Sequence, residues 1–161
     1  MFSGLNIFEI ISSVALLMIA YVMAFGLFIA NKRFKQEKRS RTFELMMNFG
    51  LHEANSVSKL IHENFSELTS DYDEQGTSLA INAARREIFS YLNRFEAIAI
   101  GVMEGFYDEK ILSEYLGTTL ISTYREAQEF IEFLRNKSGN TRIFIHLEAI
   151  ARRWERKRGI D

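Results

Sequence analysis

Residues Ile10 to Ala30 form a run of twenty-one residues without a charge, and six basic side chains, Lys32, Arg33, Lys35, Lys38, Arg39 and Arg41, follow it closely. As an α-helix rising about 1.5 Å per residue, the run is roughly 31 Å long, matching the ~30 Å hydrocarbon core of a bilayer. A soluble core helix of this length carries a polar stripe, whereas the polar side chains here are Ser12, Ser13 and Tyr21. A cleaved secretory signal starts with basic residues and has a shorter apolar run. Met1 to Glu9 contains no Lys or Arg. The pattern predicts an uncleaved transmembrane helix.

Basic residues that flank a span are retained on the cytoplasmic side. The sequence therefore predicts an N-terminus outside and residues 32 to 161 in the cytoplasm. Three parts are expected: a tail and anchor over 1–31, a basic juxtamembrane segment over 32–41, and a helical domain over 42–161. The six basic residues should lie against anionic headgroups, each contributing about 1 kcal/mol near the surface.

The domain has no Cys, which excludes disulfides, thiol nucleophiles and thiolate metal sites. It also has no Pro, a residue that marks turns and strand edges and is kept out of helix interiors. The fold class expected is all-α. Charge is uneven: residues 32–41 sum to +5 and residues 152–158 to +4, within a chain whose total is −1. An acidic body between two basic ends does not suit nucleic acid, which needs a basic face over much of a domain. Two membrane-facing basic patches are the expectation instead.

Apolar periodicity divides the domain into about four helices, joined as an antiparallel bundle. The first is expected to run from the anchor to about Leu68, with Phe43, Met47, Gly50, Ala54, Val57, Ile61 and Phe65 on its inner face. Thr69 to Ser78 reads as a loop, with Thr77 or Ser78 capping the second helix. That helix turns Ile81, Ala84, Ile88, Tyr91, Phe95, Ile98 and Val102 inward, widened by Leu92, Ala99, Met103 and Phe106. Gly105 should end it and Asp108 should cap the third, which Gly117 and Thr118-Thr119 would kink. Lys137 to Asn140 closes the third helix. Asn140 or Thr141 is expected to cap the last, which buries Ile143, Phe144, Leu147, Ile150, Ala151 and Trp154.

Candidates for chemistry are few. His52-Glu53 and His62-Glu63 lack the i, i+4 histidine spacing of a zinc-protease helix, and His146 stands apart, so no metal or cofactor is assigned. Glu126, Glu129 and Glu132 read as a solvated face. Asp71 to Gly76 begins like a calcium loop but places Asn82 where its acidic ligand should be. No Gly-rich phosphate cradle or Gly-x-Ser-x-Gly elbow is present. Glu96 lies among Phe95, Ala97, Ile98, Ala99 and Ile100, and a buried carboxylate must be paired or protonated. It is either a general acid or base, with Asn93 and Arg94 nearby, or half of a structural pair with Arg125 or Arg135. Pairing is the expectation, because structural ion-pair networks also perturb carboxylates.

The run from Tyr91 to Gly105, containing Leu92-Asn93-x-x-Glu96-x-x-Ala99-x-Gly101, continues with Asp108-Glu109, Phe130-Ile131 with Arg135, and Leu147 to Ala151 with Trp154. Over about residues 85 to 154 it resembles an uncharacterised family of bacterial and prophage-carried proteins, a domain of unknown function whose members commonly carry one N-terminal span. The resemblance implies the helical fold and the anchor and transfers no catalytic residue. In size and single anchor the chain is also similar to prophage-encoded inner-membrane proteins that exclude the DNA of a superinfecting phage. The role expected is thus non-enzymatic: an anchored domain that meets a protein partner at the membrane, with phage exclusion as its biological form. The alternatives are a membrane-proximal enzyme using Glu96 and a homo-oligomeric structural protein, the latter hinted at by Ala20 and Ala24, four apart in the span.

Overall fold

The computed structural model describes residues 7–49, 57–63, 68 and 79–159. The chain divides into two compact units, Met1–Ser40 and Arg41–Asp161. Among the described residues every regular element is a helix: α1 (Ile7–Asn48), α2 (described over 57–63), α3 (Leu79–Met103), α4 (Glu109–Ser138) and α5 (Ile145–Arg158).

In the first unit nothing among the described residues covers the apolar run. Leu17 is 71% exposed and Phe28 66%, and Tyr21 stacks on Phe25 with ring centroids 6.2 Å apart. A core helix of a soluble fold would bury one side. This helix is instead long and apolar enough to cross a membrane and is uncovered all round.

The second unit has one core, to which α3, α4 and α5 contribute most, and α5 packs on both α3 and α4. All seven inward positions expected for α3 are buried. Met103 and Phe106 are exposed, because Gly105 turns the chain there with φ +76°. Phe106 N–H donates to Gly101 O at 2.8 Å, and Asp108 Oδ1 accepts from Lys110 N at 3.1 Å and Ile111 N at 3.4 Å, closing α3 and opening α4 as the sequence predicts. α4 continues without a break through Gly117, where a kink was expected, and stops at Gly139 in the left-handed region with φ 67°.

The end of α1 departs from the expectation. The helix stops at Asn48 rather than continuing to Leu68, and its inner face is Thr42, Leu45, Met46 and Phe49, one residue out of phase with the predicted stripe. Phe43 is 53% exposed and Met47 88%. Two long-range contacts set the phase. Fully buried Thr42 accepts the Asp108 N–H at 2.8 Å, and the Phe49 ring lies 5.1 Å from Phe95 and 6.4 Å from Tyr91. Val57, Ile61 and Leu68 are buried as expected. Gly50, Ala54, Phe65, the Thr69–Ser78 loop and the Thr77 or Ser78 cap lie outside the described residues.

Candidate functional site

Glu96 is a largely buried carboxylate that links α3 to α5. Its carboxylate, 16% exposed, reaches from α3 to the first turn of α5. Oε2 accepts from Leu147 N at 2.7 Å, Oε1 accepts from His146 N at 3.2 Å, and His146 Nδ1 lies 2.7 Å from the same Oε1. The first amides of a helix have no intrahelical acceptor, and the positive end of its dipole favours an anion. α5 has no side-chain cap of its own: its N-cap position is Phe144, in the left-handed region at φ 56°. Glu96 caps it from fifty residues away in sequence.

This replaces both sequence expectations for the region. Glu96 is engaged by α5 amides rather than by Arg125 or Arg135. Arg125 Nε bonds Glu155 Oε1 at 2.6 Å, and Arg135 bonds Ile143 O and, at 2.9 Å, Glu148 Oε2. Asn140 does not cap α5 either, because its Oδ1 accepts from Arg142 N at 3.0 Å inside the preceding turn. The physical reason is shared: orphan amides attract the nearest fixed carboxylate, which leaves the arginines to the acidic side chains of α5.

Two further carboxylates hold α5 in place. Glu109 Oε1 accepts from the Trp154 indole N–H at 3.1 Å and from Lys157 Nζ at 2.7 Å, while Oε2 pairs with Arg153 at 3.3 Å. Burial pushes this carboxyl up, but hydrogen bonds from Lys157 and Trp154 and the charges of Lys157 and Arg153 outweigh it and hold it below its usual value. Glu148 is depressed in the same way, with burial opposed by Arg135 and Arg152. Arg158 donates to Thr118 Oγ1 at 2.8 Å and to Ser113 O, and its guanidinium fills the space a Cβ at Gly117 would need. Most of the basic run 152–158 is therefore bound to α4 or to α5 itself. The expectation of a second open basic patch is corrected accordingly.

The juxtamembrane residues Lys32, Arg33, Lys35, Arg39 and Arg41 are exposed and Lys38 is half-buried. His62 is exposed, with Nδ1 2.9 Å from Ser58 O, and His52 and Asp71 to Gly76 lie outside the described residues. Glu129 and Glu132 are exposed, and Glu132 accepts from Gln128 at 3.2 Å. Tyr91 is buried at the core face of α3, and burial pushes its hydroxyl up to about 12. The roles of Glu109, Glu148 and His146 escaped the sequence reading. One signal was present: a Trp on an apolar face needs an acceptor for its indole N–H.

The motif Leu92-Asn93-x-x-Glu96-x-x-Ala99-x-Gly101 is accounted for largely by packing. Leu92 and Ala99 are fully buried, Glu96 caps α5, and Gly101 is the seat of the Tyr107 ring, whose Cδ2 would lie 2.6 Å from a Cβ there. Fold and site together define a protein that, among its described residues, is all-helical with one candidate membrane span. Residues 9–154 match the profile of a domain of unknown function (DUF4760), and the chain belongs to that family. No curated protein and no solved structure matches it.

Proposed function

We propose that this is a membrane-anchored interaction protein: a single-pass inner-membrane helix, N-terminus outside, carrying a cytoplasmic antiparallel helical bundle that receives a protein partner at the membrane surface. The observation that carries the proposal is the uncovered apolar surface of α1 followed by exposed basic residues, a combination that lipid and anionic headgroups satisfy and water does not. The helical unit adds a second, smaller exposure. Phe43 and Met47 at the end of α1, and Met103 and Phe106 at the α3–α4 turn, are apolar and uncovered, and the Thr42–Asp108 bond ties the two segments together. Exposed apolar side chains on a soluble unit suit a partner surface. The carboxylate that suggested chemistry, Glu96, is engaged in capping α5.

The test combines topology and contact. A reporter active only outside the cytoplasm should be silent after Asp161 and active before Met1, and the reverse result overturns the orientation. A photo-crosslinker at Met47 or Phe106 should give a discrete protein adduct in intact cells that disappears when residues 1–31 are deleted; adducts indistinguishable from those at exposed Glu129 would overturn the face. Exclusion of superinfecting phage is the narrower form of the proposal. Plasmid-borne protein should then block infection by a related phage but not replication of transfected phage DNA, and equal loss of both overturns that role.

A further inference from the structure

Between α3 and α4 lies an open surface groove of about 340 Å³ floored by Phe89, Phe130 and Leu134. An adjoining groove of about 580 Å³ shares Arg85, Arg86 and Leu134 with it and adds Phe133 and Lys137. Among the described residues no Asp or Glu lines either one. This contrasts with the α5 seam, where Arg125, Arg135, Arg152, Arg153 and Lys157 each reach a carboxylate. Arg85 is fixed: Nε donates to Leu68 O at 3.2 Å and its guanidinium lies over the Phe133 ring, 5.6 Å from the centroid. Arg86 is exposed and makes no ion pair or hydrogen bond among the described residues, and the same holds for the Asn93 amide at the groove wall. Phe89 is anchored edge-on against Phe144, with centroids 5.4 Å apart.

The polar groups that converge here, the Arg86 guanidinium, the Asn93 amide and the Ser90 hydroxyl, offer hydrogen-bond donors beside an aromatic and aliphatic floor. A guanidinium fork matches phosphate and carboxylate oxygens, and the volume falls in the range of small-molecule sites. We propose that this groove binds an anionic amphiphile, a phosphate or carboxylate joined to an aromatic or acyl body, with Arg86 and Asn93 on the head and Phe89 and Leu134 under the tail. The proposal goes beyond the interaction role and does not depend on it.

Equilibrium dialysis of naphthyl phosphate against the full chain in phosphatidylcholine nanodiscs, corrected with empty discs, tests it. Saturable binding is expected, with naphthol much weaker. Arg86→Gln should weaken binding by about tenfold or more, as loss of a charged hydrogen-bond partner does. Asn93→Asp should weaken it similarly by setting a carboxylate beside the head. Arg156→Gln removes the same charge from an exposed position outside the groove and should leave binding unchanged. Both groove substitutions are at exposed positions, and unchanged helical circular dichroism checks the fold. Replacing part of the phosphatidylcholine with phosphatidic acid distinguishes the source of the head: competition assigns a membrane lipid, and its absence a soluble anion. No saturable binding at millimolar probe, or equal affinity in the Arg86→Gln and Arg156→Gln variants, overturns the proposal.

Discussion

The N-termini of α4 and α5 solve one problem by opposite means. α4 is capped locally: Asp108 accepts from amides two and three residues further on. α5 starts from a left-handed Phe144 and takes its acceptor from Glu96, fifty residues earlier on another helix. A local cap stabilises its own helix wherever that helix goes. A distant cap stabilises the helix only in its packed position, so it also specifies the tertiary arrangement. α5 should therefore be the element whose order depends most on the rest of the unit.

The largest effect expected is at the seat of α5. Trp154 is fully buried and its indole N–H is bonded to Glu109. Trp154→Ala should destabilise the helical unit by about 3–5 kcal/mol, read from denaturant unfolding of the full chain in nanodiscs. A loss below about 0.5 kcal/mol would mean that α5 contributes little to the cooperative core.

The comparison itself is broken or sharpened by paired substitutions. Glu96→Ala leaves two amides and His146 without their carboxylate and should cost about 2–3 kcal/mol, as charged hydrogen bonds to partly buried groups do. Asp108→Ala should cost about 1 kcal/mol, in the range of ordinary caps. Hydrogen exchange should localise the Glu96→Ala loss to α5, with its amides opening before those of α3. Equal losses, or uniform exchange, would remove the distinction between the two caps.

How legible each region was in the sequence follows the same division. The seven main inward positions of α3, the Gly105 turn, the Asp108 cap and the stop of α4 within Lys137 to Asn140 are set by neighbours within a few residues and are legible in the sequence. Met103 and Phe106, expected to widen the α3 face, are instead exposed. The phase of α1 was missed because Thr42 is drawn inward by an amide sixty-six residues away. Glu96 was singled out correctly as a largely buried carboxylate, but its partner was not, since a helix N-terminus is an acceptor-seeking group with no side-chain signature. The basic run 152–158 looked like a surface patch because the sequence does not say which face of α4 its charges meet.

A smaller effect tests the ionic side of α5. Glu109 is held below its usual value in the folded protein, so the unfolded chain takes up its proton at a higher pH than the folded one. Its contribution is fully present above the unfolded carboxylate value, about 4.3, and is lost as pH falls through the folded value. Glu109→Gln keeps an acceptor for Trp154 but removes the charge facing Lys157 and Arg153. It should cost about 1 kcal/mol at neutral pH and flatten the decline in stability below about pH 4.3. An unchanged acid profile would assign that decline to Glu148 and other carboxylates.

The smallest effect expected is at the residue that sequence pattern alone would choose as the cap of α5. Asn140 accepts from Arg142 N in an exposed turn, and no amide of α5 bonds to its side chain. Asn140→Ala should therefore cost under about 0.5 kcal/mol, the scale of surface substitutions away from special features, and should leave α5 exchange unchanged. Asn140→Ala combined with Glu96→Ala should be additive, because the two side chains have no bonding partner in common. A loss from Asn140→Ala matching that from Asp108→Ala, or strong coupling to Glu96, would mean that the turn over 141–144 and the distant carboxylate act as one cap. In that case α5 would be locally specified after all, and the contrast with α4 would be one of degree.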